Sequence, residues 1–170
     1  MSFNKNLRTR FYDAYDVSYV MQFISKLATM AEPERRDLPG FLGEGTHFQS
    51  FELDSMSLPL AINVAKTSFA RRGESALSRW KEAVKVAQSL ESASLVPPMD
   101  VINAFGLTVL VMPKGKVVSK SGAKVVDALL QDTAKALGQA GLVLDDYPQI
   151  REAEGIPFII DWSDLGFLNR

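Results

Sequence analysis

Apolar residues recur with helical spacing in three stretches of the chain. They lie three and four positions apart in residues 14–30, 74–90 and 121–138, so each stretch would present one apolar face as a helix. A proline-containing run of charges, residues 32–37, follows the first stretch. We expect that run to be an irregular connection whose charges face water.

Short apolar segments between these stretches have the length and composition of β-strands. Strands are predicted at Phe41-Leu42, from Phe48 to Leu53, from Leu60 to Ala65, from Leu95 to Ile102 and from Leu107 to Met112. The pattern therefore predicts an α+β protein in which a twisted antiparallel sheet carries residues 43–65 and 95–112. It disfavours an all-α structure and a parallel, doubly wound sheet.

The composition is that of an ordinary globular domain. The chain has 170 residues, of which 46% are hydrophobic, and a formal net charge of −1. This balance gives no electrostatic reason to expect nucleic acid or an anionic membrane as a partner, and no apolar run approaches the ~20 residues of a membrane span. The first residues lack the apolar core of a signal sequence, so we expect a cytoplasmic protein. The absence of cysteine excludes disulfides and thiolate metal sites.

Two glycines one residue apart, Gly43 and Gly45, lie where the first hairpin turns. Glycine lets a backbone approach a phosphate chain closely, and N–H groups there donate to phosphate oxygens. Lys66 follows the third strand and would reach the same phosphates as a point charge. This combination resembles the glycine-rich loop and strand-three lysine of the protein-kinase-like superfamily, although the third glycine of that pattern is absent.

Further landmarks of the superfamily follow in the same order. Glu82, in the second predicted helix, resembles the glutamate that pairs with the lysine, and Glu74 is the alternative. Residues 111–115 are similar to the segment that joins the two kinase lobes, where Met112 would lie beside the adenine. Residues 159–162, Ile-Ile-Asp-Trp, resemble the metal-binding Asp-Phe-Gly segment in the Asp-Trp form of aminoglycoside-phosphotransferase-like kinases.

The catalytic loop of the superfamily corresponds to the region of Asp145 and Asp146. The resemblance implies that Asp146 orients the acceptor hydroxyl, with Asp145 as the alternative because the preceding His-Arg pair is absent. It also implies that Asp161 binds Mg²⁺. The asparagine that supplies the second metal ligand in kinases would fall at Arg151 counted from Asp146, so Gln149 is the nearest amide that would replace it.

The resemblance implies a kinase-like small lobe in residues 38–112 and a much reduced catalytic lobe in residues 113–170, after an N-terminal helical extension in residues 1–37. In that arrangement ATP would be held by Gly43, Gly45, Lys66 and Met112, with Glu82 orienting the lysine and with Asp161 and Gln149 holding Mg²⁺.

These residues are compatible with two functions, and a third does not depend on them. The first is an ATP- and Mg²⁺-dependent phosphotransferase that acts on a protein or small-molecule hydroxyl. The second is a pseudokinase, a kinase-like domain without catalysis that binds a partner; few residues follow Asp161, so we expect no activation segment. The third is an unrelated adaptor domain. We expect Trp80 and Trp162 to be packing anchors, and the one histidine, His47, to be a solvent-facing turn residue.

Overall fold

The structure is a computed structural model that describes residues 3–54, 57–144 and 148–168. The fold is α+β, as the sequence predicts, and the chain divides into two compact units. We call Arg10–Glu74 and Met99–Lys114 the sheet unit. We call Met1–Thr9, Ser75–Pro98 and Gly115–Arg170 the hairpin unit. The predicted division into lobes at residues 37 and 112 stays a prediction.

The sheet unit is built on one antiparallel sheet of five strands, ordered β1-β2-β3-β5-β4. The strands are β1 Phe41–Glu44, β2 Phe48–Leu53, β3 Leu60–Ala65, β4 Asp100–Ala104 and β5 Leu107–Pro113. Phe51 is paired with Ile62, and Ile62 with Val111, so these buried side chains form one row on a single face. This sheet confirms the antiparallel prediction.

Helix α2, Val17–Ala28, covers that face of the sheet. It follows helix α1, Phe3–Ala14, and its buried stripe of Val20, Ile24 and Leu27 faces the core. Helix α2 lies against β4 and β5, and its Phe23 ring is 5.7 Å from Phe51. The helix predicted over residues 14–30 is confirmed as α2 with narrower bounds, because Asp16 caps its start by accepting a hydrogen bond from the Tyr19 N–H; α1 was not predicted.

The charged connection after α2 also differs from the prediction. Glu32–Asp37 is a 3-10 helix, and its Arg35 is only 6% exposed. Arg35 donates from Nε to the Leu27 carbonyl (3.1 Å) and from Nη2 to the Met30 carbonyl (3.2 Å). These bonds satisfy carbonyl groups at the end of α2, so this charge is buried for a structural reason.

The hairpin unit contains two helices and two short strand pairs. Helix α4, Glu74–Gln88, and helix α5, Lys120–Gln139, confirm the second and third predicted helices; the short helix α3, Thr67–Ala70, belongs to the sheet unit. Strand β6 (Leu142–Leu144) pairs with β9 (Leu165–Phe167), and β7 (Ile150–Ala153) pairs with β8 (Ile156–Ile159). Within the described part of the chain, none of the helices combines the length and apolar character needed to cross a membrane.

The predicted strand over residues 95–102 is wrong in its first half, because β4 begins only at Asp100. Leu95 instead belongs to the hairpin unit, where its N–H donates to the Thr133 hydroxyl (3.1 Å) and its carbonyl accepts from the Ile159 N–H (2.9 Å). Pro97 and Pro98 have no N–H to offer a strand ladder. The apolar run that begins at Leu95 has the composition of a strand but is a buried connecting segment.

Candidate functional site

The β1–β2 turn, Gly45 to His47, lies directly beside Lys66. Three successive carbonyl groups of the turn accept hydrogen bonds from the residues that follow β3. Lys66 Nζ donates to Gly45 (3.2 Å), Ser68 Oγ donates to Thr46 (2.9 Å), and the Lys66 backbone N–H donates to His47 (2.8 Å). The structure thus brings Gly45 and Lys66 together, with carbonyl oxygens rather than N–H groups directed at the lysine.

Glu44, the last residue of β1, is a second partner of Lys66. Its Oε1 lies 3.9 Å from Lys66 Nζ and accepts from Arg36 Nη2 (2.6 Å), while its Oε2 accepts from Gln49 Nε2 (3.0 Å). The hydrogen bonds from Arg36 and then from Gln49 hold the pKa of Glu44 below its ordinary value. The Lys66 side chain, which is 19% exposed, is therefore paired with an ionised carboxylate inside the sheet unit.

Glu32 fixes the backbone immediately after Lys66. Its Oε2 accepts from both the N–H and the hydroxyl of Thr67, at 3.0 Å in each case. The Thr67 N–H is the main cause that holds the pKa of Glu32 below its ordinary value. A carboxylate expected to face water thus helps to define where β3 ends and where Lys66 lies.

Lys66 and Met112 lie on opposite faces of the sheet. Met112 is paired with Ala61 in β3. Glu44 is paired with Gln49, and Gln49 with Val64, which lies three residues after Ala61 in β3. Side chains alternate between faces along a strand, so Glu44 and Met112 are on different faces. The ammonium group of Lys66 is beside Glu44, and the structure does not bring it to the Met112 side.

Asn63 occupies the strand position that faces the same side as Met112. Its Oδ1 accepts from Ser50 Oγ (2.7 Å), and its Nδ2 donates to the Leu110 carbonyl (3.2 Å). In kinases the lysine ends a Val-Ala-Ile-Lys run within strand three. Here residues 60–62, Leu-Ala-Ile, run into Asn63, and Lys66 follows the last residue of the strand.

Asp161 follows β8 in the hairpin unit, and its side chain is exposed. Its Oδ1 accepts from the Ser163 N–H (3.2 Å) and hydroxyl (2.9 Å), which fixes the orientation of the carboxylate. The Ile160 N–H donates to the Gln149 carbonyl (3.0 Å), so Gln149 lies beside the residue that precedes Asp161. These two predicted metal ligands are near each other in the fold, and both carry the oxygen atoms that Mg²⁺ prefers.

Two buried tryptophans hold the segment that carries Asp161. Trp162 donates from its indole N–H to the Ile159 carbonyl (2.8 Å), and Trp80 of α4 donates to the Trp162 carbonyl (2.9 Å). Both side chains are buried, which confirms that they are packing anchors.

The remaining predicted residues are less constrained by the structure. Glu82 is exposed on α4, and Asp145 and Asp146 lie outside the described residues, so their predicted roles stay predictions. The kinase asparagine falls at Ile150 counted from Asp145, or at Arg151 counted from Asp146, and both residues are in β7. Among residues 3–54, 57–144 and 148–168 there is no group of three or more acidic or histidine side chains that would hold a metal ion.

Comparison with solved structures identifies the fold. The structure of vaccinia related kinase 3 superimposes with a TM-score of 0.50 at 13% sequence identity, over 75% of this chain and 47% of that chain. The chain has a protein-kinase-like fold. It spans about half the length of that kinase. The structure of the aminoglycoside phosphotransferase APH(4)-Ia gives a TM-score of 0.48 at 15% identity, over 89% of this chain and 73% of that chain. No protein-family model and no curated protein matches the sequence.

Two residues of this kinase-like chain were not predicted. The signal for Asn63 is the run of residues 60–62, which is followed by Asn63 where a kinase would have its lysine. That role was predicted for Lys66, three positions later. Glu44 gave no comparable signal, because its strongest partner, Arg36, belongs to a segment that the sequence presented as solvated.

Proposed function

We propose that the protein is a pseudokinase, a kinase-like module that binds a partner without transferring phosphate. The position of the lysine carries this proposal: Lys66 pairs with Glu44 on one face of the sheet, and the neutral Asn63 occupies the strand position on the face of Met112. A nucleotide with its adenine at Met112 and its phosphates at Lys66 would have to contact both faces. An amide at Asn63 cannot neutralise phosphate charge as a lysine does.

Strand β7, which follows the catalytic-loop position, supports the same proposal. Kinases use an asparagine there as the second ligand of the metal. The Ile150 side chain offers no ligand atom, and Arg151 is a cation that would repel Mg²⁺. Only Asp161 and Gln149 then remain in the described chain as predicted ligands.

A phosphotransferase dependent on ATP and Mg²⁺ is the second candidate, and the orientation of Asp161 favours it. Ser163 holds Oδ1, and Oδ2 has no hydrogen bond within the described residues, so that oxygen is available to a cation. Mg²⁺ would neutralise the charge of the phosphates. The candidate requires these roles: Asp161 and Gln149 for Mg²⁺, Gly43, Gly45, Lys66 and Met112 for ATP, Glu82 for orienting Lys66, and Asp146 for the acceptor hydroxyl of a protein or small molecule.

ATP turnover separates the two candidates without knowledge of the acceptor. Hydrolysis and self-labelling with γ-labelled ATP and Mg²⁺ are measured for the wild type, for Asp161→Asn and for the control Asp127→Asn, an exposed carboxylate of α5. We expect all three proteins to match the rate without protein. Turnover by the wild type that Asp161→Asn lowers about 100-fold or more, and that Asp127→Asn leaves intact, would overturn the proposal.

Nucleotide binding is measured separately by the change in Tm with millimolar Mg-ATP, since a ligand specific for the folded state raises Tm. We expect Lys66→Met to leave any such change intact. The matched control is Lys114→Met, because Lys114 also pairs with a carboxylate of the sheet unit, Glu52 (2.9 Å). A shift abolished by Lys66→Met alone would contradict the proposed position of Lys66 outside the nucleotide site, and no shift in any protein would favour an adaptor.

A further inference from the structure

Every residue of the β1–β2 turn, 45–47, is hydrogen-bonded to Lys66 or Ser68 at the start of α3. Beyond its three carbonyl hydrogen bonds, it rests on Phe69, which is 0% exposed and whose ring centroid is 4.9 Å from that of Phe48 and 5.9 Å from that of His47. Arg72 lies 4.5 Å over the Phe69 ring, and its Nη2 is 3.1 Å from His47 Nε2. The turn is thus held by polar contacts above an apolar base.

The polarity of the fastened turn is unsuited to an anion. The carbonyl oxygens of residues 45–47 are directed at Lys66 and Ser68, and carbonyl oxygens carry partial negative charge. The Gly45 N–H donates to the Phe48 carbonyl (2.9 Å), which removes a donor that a phosphate oxygen would need. A phosphate that approached Lys66 would meet these oxygens and the carboxylate of Glu44.

The base of the turn has the properties of a hinge. Gly43 has a φ of +147°, and the pairing of β1 with β2 shifts register between Phe41 and Gly43. Apart from the chain neighbours of each glycine, no atom of the described residues lies within 4 Å of the position of a Cβ at Gly43 or Gly45. Rotation of the turn about these residues would require that its bonds to Lys66 and Ser68 be broken.

We propose that the turn is a latch, closed by Lys66 and Ser68, that withholds the ammonium group of Lys66 from phosphate-containing ligands. Opening the latch directs the carbonyl groups away and leaves Lys66 able to bind a polyphosphate anion. Ser68 is then a positioning residue that acts through the turn. This inference rests on the proposed function, because it explains how Lys66 of a kinase-like chain is kept from binding phosphate.

The variant Ser68→Ala tests the latch, because it removes one hydrogen bond and leaves Lys66 and Glu44 in place. Its matched control is Ser89→Ala, since Ser89 Oγ also donates to a backbone carbonyl, that of Val86 (2.6 Å). One hydrogen bond changes an equilibrium roughly 2- to 12-fold. We expect Ser68→Ala to speed hydrogen exchange of the Lys66 amide by that factor and to tighten the Kd for inorganic pyrophosphate by the same factor. Adding Lys66→Met should abolish the gain in affinity.

Unchanged exchange of the Lys66 amide in Ser68→Ala would overturn the latch. So would faster exchange without tighter pyrophosphate binding, or an equal gain in the Ser89→Ala control. These measurements need no phosphate transfer. Catalytic turnover by the wild type would therefore overturn the proposed function and leave the latch to be decided by the exchange and pyrophosphate results.

Discussion

The hydrogen bond between Trp80 and the carbonyl of Trp162 gives the most direct test of how the Asp161 segment is held. Trp80 is 4% exposed, and its indole N–H is 2.9 Å from the acceptor. Trp80→Phe keeps an aromatic ring in the same place but removes the donor and part of the ring. The Trp162 carbonyl would then keep only its second bond, from the Leu165 N–H (3.2 Å).

The expected loss has two parts. Because Leu165 still bonds the carbonyl, the mutation removes one of its two hydrogen bonds, at a net cost of about 0.5–1.5 kcal/mol. The smaller ring forfeits burial equal to about two methylene groups, at about 0.8 kcal/mol each. We therefore expect Trp80→Phe to lower the free energy of unfolding by about 2 to 3 kcal/mol, from a typical total of about 5–15 kcal/mol. For a chain of this size the Tm should fall by roughly 8 °C.

Urea unfolding measures this loss. The chain has two tryptophans, so Trp80→Phe leaves Trp162 as the single indole reporter, next to Asp161; circular dichroism provides a second probe. The control is Tyr19→Phe, which changes an exposed aromatic residue of α2 and should remain within about 0.5 kcal/mol of the wild type. A loss below about 1 kcal/mol for Trp80→Phe would refute the reasoning, because that value is less than the cost of the lost burial alone.

Two further predictions concern glycine and pH. Gly40 has a φ of +86°, and a Cβ there would lie 2.8 Å from the Glu52 carbonyl oxygen. Gly40→Ala should therefore lower the free energy of unfolding, measured with urea, by more than about 1 kcal/mol. The control Gly138→Ala, in an open position of α5, should raise it by about 0.5–1 kcal/mol. Because Thr67 lowers the pKa of Glu32, this carboxylate stabilises the fold above its ordinary pKa, and the stabilisation is lost as pH falls through the lowered value. Glu32→Gln should therefore reduce the difference in free energy of unfolding between pH 7 and pH 3, and an unchanged difference would contradict this assignment.

The sheet could be predicted because its strands alternate clearly. In β2 the buried residues Gln49, Phe51 and Leu53 occupy every second position, which is the period of a half-buried strand. Helix α1 was not predicted because few of its residues are apolar; Leu7 and Phe11, four positions apart, are its buried contacts. The apolar run at Leu95 was misjudged because periodicity does not reveal that its N–H bonds to Thr133.

The candidate site was harder to predict than the fold. The order of Gly43, Lys66 and Asp161 along the chain suggested a kinase-like arrangement, and the fold agrees with that suggestion. The sequence could not reveal which face of the sheet receives the ammonium group of Lys66. A shift of one residue in a strand exchanges its faces, so the pairing of Glu44 with Gln49 had to be observed.

The strand order has a consequence for synthesis of the chain on the ribosome. β5 lies between β3 and β4, so the second edge of β3 acquires its partner only when Leu107–Pro113 has been made. Because the ribosome adds about 5–20 residues per second, β5 is made a few seconds after β3. During this interval the edge of β3 formed by the backbone groups of Ala61 and Asn63 offers unpaired N–H and C=O groups to other nascent chains. Aggregation should therefore be most favourable before β5 emerges, and the completed sheet removes the risk by covering that edge.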